Sequence, residues 1–166
     1  MDDIGVSVLT EDGQHKETTL GELRSGRAMV VDLWHQKCSR CPTALVELAN
    51  VAKTHRDSDV LFVAAALSLA DKSGDGFPKT DRESESQAEE LVEEIDELKG
   101  VVHCFVDKHQ KEELKSRLQL RTVPCCVLVS KDGERFVKEG CVSLANSVSH
   151  LLSTEQKSTV TTIQNS

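Results

Sequence analysis

The sequence lacks the features of a membrane, secreted or nucleic-acid-binding protein. Its 166 residues contain no run of about eighteen or more consecutive apolar residues, and residues 1–5 include neither a basic cluster nor an apolar segment. The formal net charge is -8, which argues against non-specific binding to nucleic acid or to an anionic membrane surface. We therefore expect a cytoplasmic protein with no membrane and no nucleic-acid partner.

Aromatic residues and cysteines are also scarce. The chain has no Tyr and a single Trp, and its 6 cysteines are too few for a scaffold held together by disulfides. We therefore expect most of the cysteines to be ordinary buried thiols. The length predicts one domain, over residues 1–152, and we expect the protein to be a monomer. Residues 153–166 are Ser/Thr-rich, and we predict that they form a disordered polar tail.

Two of the cysteines stand where an apolar segment ends and an amphipathic segment begins. Cys38 and Cys41 are two residues apart, and Pro42 suits the first turn of a helix. Such a pair can close a small disulfide ring and open it again, and a helix N-terminus stabilises a thiolate. Lys37 and Arg40 add two positive charges. The pattern predicts Cys38 as the attacking thiolate and Cys41 as the thiol that resolves the mixed disulfide.

The same cysteine spacing occurs in half of a zinc site, so the motif alone leaves redox use and metal binding open. No second pair with this gap is found among the remaining cysteines, which are Cys104, Cys125, Cys126 and Cys141. A metal or iron–sulfur site built on Cys38 and Cys41, with Cys125 as a candidate third ligand, is therefore one of the alternatives to redox chemistry.

Strand and helix patterns alternate along the chain. Strands are predicted at residues 6–10, 28–34, 60–67, 101–106, within 122–130, and at 135–139. A short helical turn is predicted after residue 19, and helices at residues 42–55, 84–99, 109–118 and 144–152. Residues 71–78 are predicted to form a mobile loop. This order predicts an α/β fold with a mixed central sheet and helices on both faces.

Two segments that are far apart in the chain carry further motifs. One is Val30-Val31-Asp32-Leu33-Trp34 leading into Cys38-Ser39-Arg40-Cys41, and the other is Thr122-Val123-Pro124 leading into residues 125–133. Together, and in this order, they resemble the thioredoxin superfamily. The opening segment and the extra acidic helix at 84–99 look most like the branch of TlpA-type proteins, tryparedoxins and nucleoredoxins. The resemblance covers residues 4–152. It implies a thioredoxin fold with an N-terminal extension and an acidic helix insertion.

The resemblance also implies roles for the residues that match its motifs. Cys38 and Cys41 match the attacking and resolving thiols. Asp32 matches a buried carboxylate beneath the pair, which would accept the Cys41 proton because burial raises its pKa. Pro124 matches a cis-proline that faces the pair. The backbone of Val123 would then offer β-type hydrogen bonds to an extended substrate segment.

The residues around the pair also suggest what it would bind. Trp34 matches an aromatic residue that packs beside the active-site loop. Lys37 stands where the family usually has a second aromatic residue, and Ser39-Arg40 replaces the common Gly-Pro or Pro-Pro. Lys37 and Arg40 would suit an acidic protein or an anionic thiol such as glutathione. The same departures favour a second hypothesis, a redox-inactive interaction module on a thioredoxin scaffold.

The leading hypothesis is a thiol–disulfide oxidoreductase that reduces protein disulfides or a low-molecular-weight thiol's disulfide. It would use the Cys38–Cys41 couple, need no bound cofactor or metal, and be re-reduced by an upstream reductase. Cys125 is a candidate additional thiol because its backbone should lie near the pair. Cys104 and Cys141 are predicted to be buried filler, and the acidic helix to be a solvated face.

Overall fold

The computed structural model of the chain describes residues 1–98 and 100–164, and only the backbone of residues 156–164. The strands are β1 (Gly5–Leu9), β2 (His15–Thr19), β3 (Ala28–Trp34), β4 (Val60–Leu67), β5 (Val102–Val106), β6 (Cys125–Val129) and β7 (Arg135–Glu139). The α-helices are α1 (Leu20–Arg24), α2 (Cys41–Thr54), α3 (Asp81–Glu93), α4 (Lys108–Leu118) and α5 (Leu144–Gln164), with a 3-10 turn at Asp96–Leu98.

All seven strands belong to one mixed sheet, in the order β2-β1-β5-β4-β3-β6-β7. The pairs β3/β4 and β4/β5 are parallel, and the remaining pairs are antiparallel. β3 and β4 are nearly continuous apolar runs, as expected for central strands that are covered on both faces. The predicted mixed sheet with flanking helices is confirmed.

Helices cover both faces of the sheet, and the side-chain alternation of β3 shows which residues lie on which face. Val30 and Trp34 pack with residues of α2, α3 and α5, whereas Val31 and Leu33 pack with residues of α1 and α4. Asp32 follows the alternation of Val30 and Trp34. Its carboxylate therefore belongs to the face covered by α2, and α2 starts at the cysteine pair.

Two elements differ from the sequence prediction: the edge strand β2 and the acidic helix α3. β2 is missing from the prediction because its residues, His-Lys-Glu-Thr-Thr, are polar and form an exposed edge strand beside β1. α3 begins at Asp81, not at residue 84, because the Thr80 side chain accepts a hydrogen bond from the Glu83 amide at 3.1 Å. It ends at Glu93, and residue 99, the predicted end, lies outside the described residues.

The C-terminal segment also differs from the prediction. α5 continues through Gln164, into the range predicted as a disordered tail. No Gly or Pro follows Leu144, so the strongest helix-ending residue types are absent from this segment. The Lys131 amide donates a hydrogen bond to the Glu155 side chain at 2.8 Å, which fastens α5 to the turn after β6. Residues 165 and 166 lie outside the described residues.

Within the described part of the chain, no helix combines the length and apolar character needed to cross a bilayer.

Candidate active site

The cysteine pair lies at the amino end of α2, directly after the central strand β3. Cys38 and Cys41 form a disulfide with their Cα atoms 5.4 Å apart. Cys38 is partly exposed, whereas Cys41 is fully buried in the core beneath it. No side chain caps the first turn of α2, so its N–H groups and dipole are available to stabilise a thiolate there. The outer sulfur is therefore the one that a substrate can reach.

The second segment of the resemblance meets the first at this point. The Val123–Pro124 peptide bond is cis. The Cys38 sulfur lies 3.7 Å from the Val123 carbonyl oxygen, although the two residues are 85 positions apart in sequence. The fold thus brings the backbone of the partly exposed residue Val123 next to the sulfur that is predicted to react.

Asp32 lies under this surface as a fully buried carboxylate. It pairs in the sheet with Ala64 of β4 and with Cys126 of β6, so neither strand brings a positive charge to it. Its Oδ2 atom has no hydrogen-bond partner among the described residues. Burial, with a smaller contribution from the negative charge of Glu47 on α2, raises the pKa of Asp32 to about 8. Such a carboxyl can exchange a proton near neutral pH.

The cations that flank the pair are both exposed. The Lys37 ammonium lies 5.7 Å from the centre of the Phe77 ring, a cation–π contact. Phe77 belongs to the polar loop between β4 and α3, and no sequence motif predicted a role for it at the site. The one available signal was an apolar residue before Pro78 in an otherwise polar loop. Arg40 has no ion-pair partner among the side chains that the structure describes.

Trp34, at the end of β3, and His35, in the loop that follows, both stabilise the loop that carries the cysteine pair. Trp34 is 1% exposed and packs in the same core as Cys41, which suits support of the loop from below. The His35 ring accepts a hydrogen bond from the Lys37 amide at 3.2 Å. Burial and the nearby charges of Lys111 and Lys72 lower the pKa of His35. A neutral His35 therefore helps to hold the conformation of the loop.

The structure contains a second disulfide that the sequence analysis missed. Cys126 and Cys141 are bonded, with their Cα atoms 5.1 Å apart, and both are buried. The prediction that Cys141 is an unpaired filler thiol, and that most cysteines are ordinary thiols, is therefore wrong. Cys126 and Cys141 are 15 residues apart, a separation that belongs to no known cysteine motif. The two residues meet only because the chain turns back after β7.

The two remaining cysteines are free and buried. Burial raises the pKa of Cys104 to about 12 and that of Cys125 to about 11, so neither is a ready thiolate at neutral pH. Among the described residues, no group of three ligand-type side chains within 4.8 Å of one another includes Cys38, Cys41 or Cys125. The geometry thus does not assemble the three-cysteine metal site considered from the sequence.

Several solved structures share this arrangement of strands and helices. DsbF of Mycobacterium tuberculosis (MTB) superimposes with a TM-score of 0.64 over 90% of this chain and 96% of that chain, at 18% identity. The chain has the thioredoxin fold. The thioredoxin domain of a thiol-disulfide oxidoreductase from Bacteroides vulgatus gives 0.62 over 88% and 91%, at 17% identity. A secreted disulfide oxidoreductase of M. tuberculosis gives 0.59 over 87% and 95%, at 16% identity.

The thioredoxin fold is therefore established by structure, as the two sequence segments predicted. Comparison with protein-family models and with curated proteins gives no match.

Proposed function

We propose that the protein is a thiol–disulfide oxidoreductase that reduces disulfides through Cys38 and Cys41. The observation that carries the proposal is the Cys38–Cys41 disulfide at the amino end of α2, with the Cys38 sulfur 3.7 Å from the Val123 carbonyl oxygen. The solved proteins of the same fold include ones named thiol-disulfide oxidoreductases, which agrees with this reading. The pair itself is the redox group, and the proposal includes no other cofactor.

The reaction would run in two exchange steps. In the reduced protein, the Cys38 thiolate attacks one sulfur of a substrate disulfide, breaking that bond and releasing the other sulfur as a thiolate. Cys41 then attacks the Cys38 sulfur, and the second substrate sulfur leaves. The substrate gains two electrons and, after protonation, two thiols. The protein is left with the Cys38–Cys41 disulfide.

Asp32 is suited to the proton transfer in the second step. Cys41 is buried and must lose its proton before it can attack. Burial raises the pKa of Asp32 to about 8, so this carboxyl can take up or release a proton near neutral pH. The raised pKa thus gives a buried carboxyl the properties of a general base and acid.

The surface around Cys38 supports a proposal about the substrate. Val123 offers a backbone carbonyl beside the sulfur, which suits an extended peptide segment. Lys37 and Arg40 are exposed beside Cys38 on a chain whose net charge is -8. We propose acidic disulfide proteins, or an anionic low-molecular-weight thiol, as the preferred partners.

The remaining parts of the proposal are a cytoplasmic location, a monomeric state, re-reduction by an upstream reductase, and no membrane or nucleic-acid partner. Subcellular fractionation tests the first, and analytical ultracentrifugation the second.

The decisive experiment is reduction of insulin disulfides with dithiothreitol as the electron source. The wild-type protein should accelerate it, and Cys38→Ser should abolish the acceleration. Cys104→Ala is the matched control, because Cys104 is a buried free cysteine outside the pair, and it should retain activity. Full activity of Cys38→Ser, or no activity of the wild type, would contradict the proposal and favour an interaction module.

A further inference from the structure

The second disulfide lies against the carboxylate that the proposed mechanism uses. The Cys141 sulfur is 3.7 Å from Oδ1 of Asp32, and the Asp32 oxygen and the sulfurs of Cys126 and Cys141 all lie within 4.8 Å of one another. Cys126 is the residue opposite Asp32 in the β3/β6 ladder. All three side chains are buried. The disulfide thus forms one wall around the carboxylate.

The meaning of this contact depends on the oxidation state of the sulfur. A disulfide sulfur carries no hydrogen, whereas a thiol is a weak hydrogen-bond donor. With the disulfide formed, no described residue donates a hydrogen bond to Asp32, because the Cys141 sulfur beside Oδ1 carries no hydrogen and Oδ2 has no partner. A Cys141 thiol at the same place could donate to Oδ1.

We propose that Cys126 and Cys141 are a second redox couple, whose reduction gives Asp32 a hydrogen bond from the Cys141 thiol and whose oxidation removes it. This proposal rests on the role of Asp32 in the proposed function. Cys141 is a positioning residue, because it would act on the reaction only through Asp32. A dithiol reductant supplies two electrons and two protons. The Cys126–Cys141 bond breaks to give two thiols, and the dithiol becomes a disulfide.

The fold gives this buried bond a route to reagents. Cys141 lies in the tight turn of residues 140–143, where Gly140, Cys141 and Ser143 have positive φ values of 70, 52 and 56°. Left-handed backbone is unfavourable for residues other than glycine. The intervening Val142 is 71% exposed. Local opening of this short surface turn would expose the Cys141 sulfur without unfolding the sheet.

The same turn is connected to the active-site surface. The Gly140 amide donates a hydrogen bond to the Pro124 carbonyl oxygen at 2.8 Å. Opening of the turn would break this bond, so the segment that carries Cys141 and the segment that faces Cys38 are in direct contact. A conformational change at Cys126–Cys141 can therefore move the segment that contacts Cys38.

The direction of the effect follows from the groups around Asp32. The sulfurs of Cys126 from β6 and Cys141 from the turn after β7 lie against Asp32, and at longer range the charge of Glu47 from α2 acts on Asp32 and that of Asp32 acts on Cys125. A thiol donor stabilises the ionised carboxylate, so reduction should lower the pKa of Asp32 from about 8. Oxidation should keep the carboxyl protonated at neutral pH.

The test uses the full-length Cys38→Ala/Cys41→Ala variant, in which only the second couple responds to thiol reagents. The carboxyl ¹³C signal of Asp32 is titrated by NMR with Cys126–Cys141 oxidised and then reduced by dithiothreitol. We expect a titration midpoint about one pH unit lower in the reduced protein, a change of about tenfold in the ionisation constant. Equal midpoints would overturn the proposal, and so would a Cys126–Cys141 bond that stays intact in excess dithiothreitol.

A pair of substitutions separates the donor from the loss of the crosslink. Cys126→Ala and Cys141→Ala break the same disulfide, but only Cys126→Ala leaves a Cys141 thiol beside Asp32. In the Cys38→Ala/Cys41→Ala background, the Asp32 midpoint should be lower in Cys126→Ala than in Cys141→Ala, with or without reductant. Cys141→Ser should restore the lower value. Equal midpoints in the two alanine variants would contradict the proposal.

The activity assay supplies the second readout. With Cys38 and Cys41 intact, the pH profile of insulin reduction should lie at lower pH in Cys126→Ala than in Cys141→Ala, whereas a purely structural role would change both equally. Insulin reduction could fail in the wild type and in both alanine variants while their Asp32 midpoints still differ by NMR. The proposed oxidoreductase function would then be wrong, whereas the proposal that Cys126 and Cys141 form a redox couple would be supported.

Discussion

The two disulfides of this protein have similar Cα separations, 5.4 and 5.1 Å, but very different surroundings. Cys38–Cys41 stands at the open end of a helix, with a partly exposed sulfur between two cations. Cys126–Cys141 is buried in the core, with the carboxylate of Asp32 as its polar neighbour. Because only the first disulfide has an exposed sulfur and neighbouring positive charges, we expect it, rather than the second, to exchange with a substrate.

Asp32 is the group that the two regions share, so its removal is the largest expected change. The folded-state pKa is about 8 and the ordinary value is 3.8, so between these pH values the folded protein binds the extra proton. The free energy of unfolding should therefore fall as pH rises from about 4 to about 8. Asp32→Asn should remove this dependence.

The measurement is urea unfolding of the oxidised Asp32→Asn protein at pH 9 and at pH 4. The variant should be more stable than wild type by up to about 5 kcal/mol at pH 9, where the wild type buries a charge, and nearly unchanged at pH 4. Asp57→Asn, at an exposed position, is the control and should change stability little at either pH. A variant that is less stable at pH 9 would mean that the Asp32 charge is stabilised in the fold.

The second disulfide should contribute more to stability than to turnover of substrate. Its loop spans 15 residues, and closing a loop of this length stabilises a protein by about 3 kcal/mol. Cys126→Ala/Cys141→Ala should lose about this much by urea unfolding under oxidising conditions, yet still reduce insulin. If the double variant folds but no longer reduces insulin, Cys126 and Cys141 would themselves take part in electron transfer to the substrate.

Reactivity of the thiols offers the sharpest contrast between exposed and buried cysteines. After reduction, Cys38 should react with iodoacetamide at pH 8 at least about a hundredfold faster than Cys104 and Cys125, whose pKa values are raised to about 12 and about 11. Peptide mapping by mass spectrometry after a short exposure measures the rates. Comparable labelling of Cys38 and Cys125 would show that the site is not a reactive thiolate.

The smallest effect concerns the cations at the first disulfide. Lys37→Glu/Arg40→Glu should lower turnover of an acidic disulfide peptide relative to a neutral one by up to about tenfold. Lys53→Glu/Arg56→Glu makes the same change in net charge at the far end of α2, about 20 Å away, and should leave the ratio unchanged. An unchanged ratio in the first variant would remove the preference for acidic partners from the proposal.

The strands and the first active-site segment were predictable because their signals are local. An unbroken apolar run such as β3 marks a central strand, and the Cys38–Cys41 gap marks a dithiol at a helix start. The polar edge strand β2 has no such signal. The continuation of α5 past residue 152 was missed because Ser/Thr-rich composition resembles a tail, although nothing in it ends a helix.

The order of residues was enough to indicate the fold class and a cysteine pair at the start of a helix, because both leave local patterns in the chain, and the thioredoxin resemblance implied the burial of Asp32. It gave no sign that Cys126 bonds to Cys141, that both sulfurs lie against Asp32, or that the Lys37 ammonium lies over the Phe77 ring. Such contacts depend on how the strands and turns are arranged in space, and residues that meet through that arrangement carry no mark of it in their order along the chain.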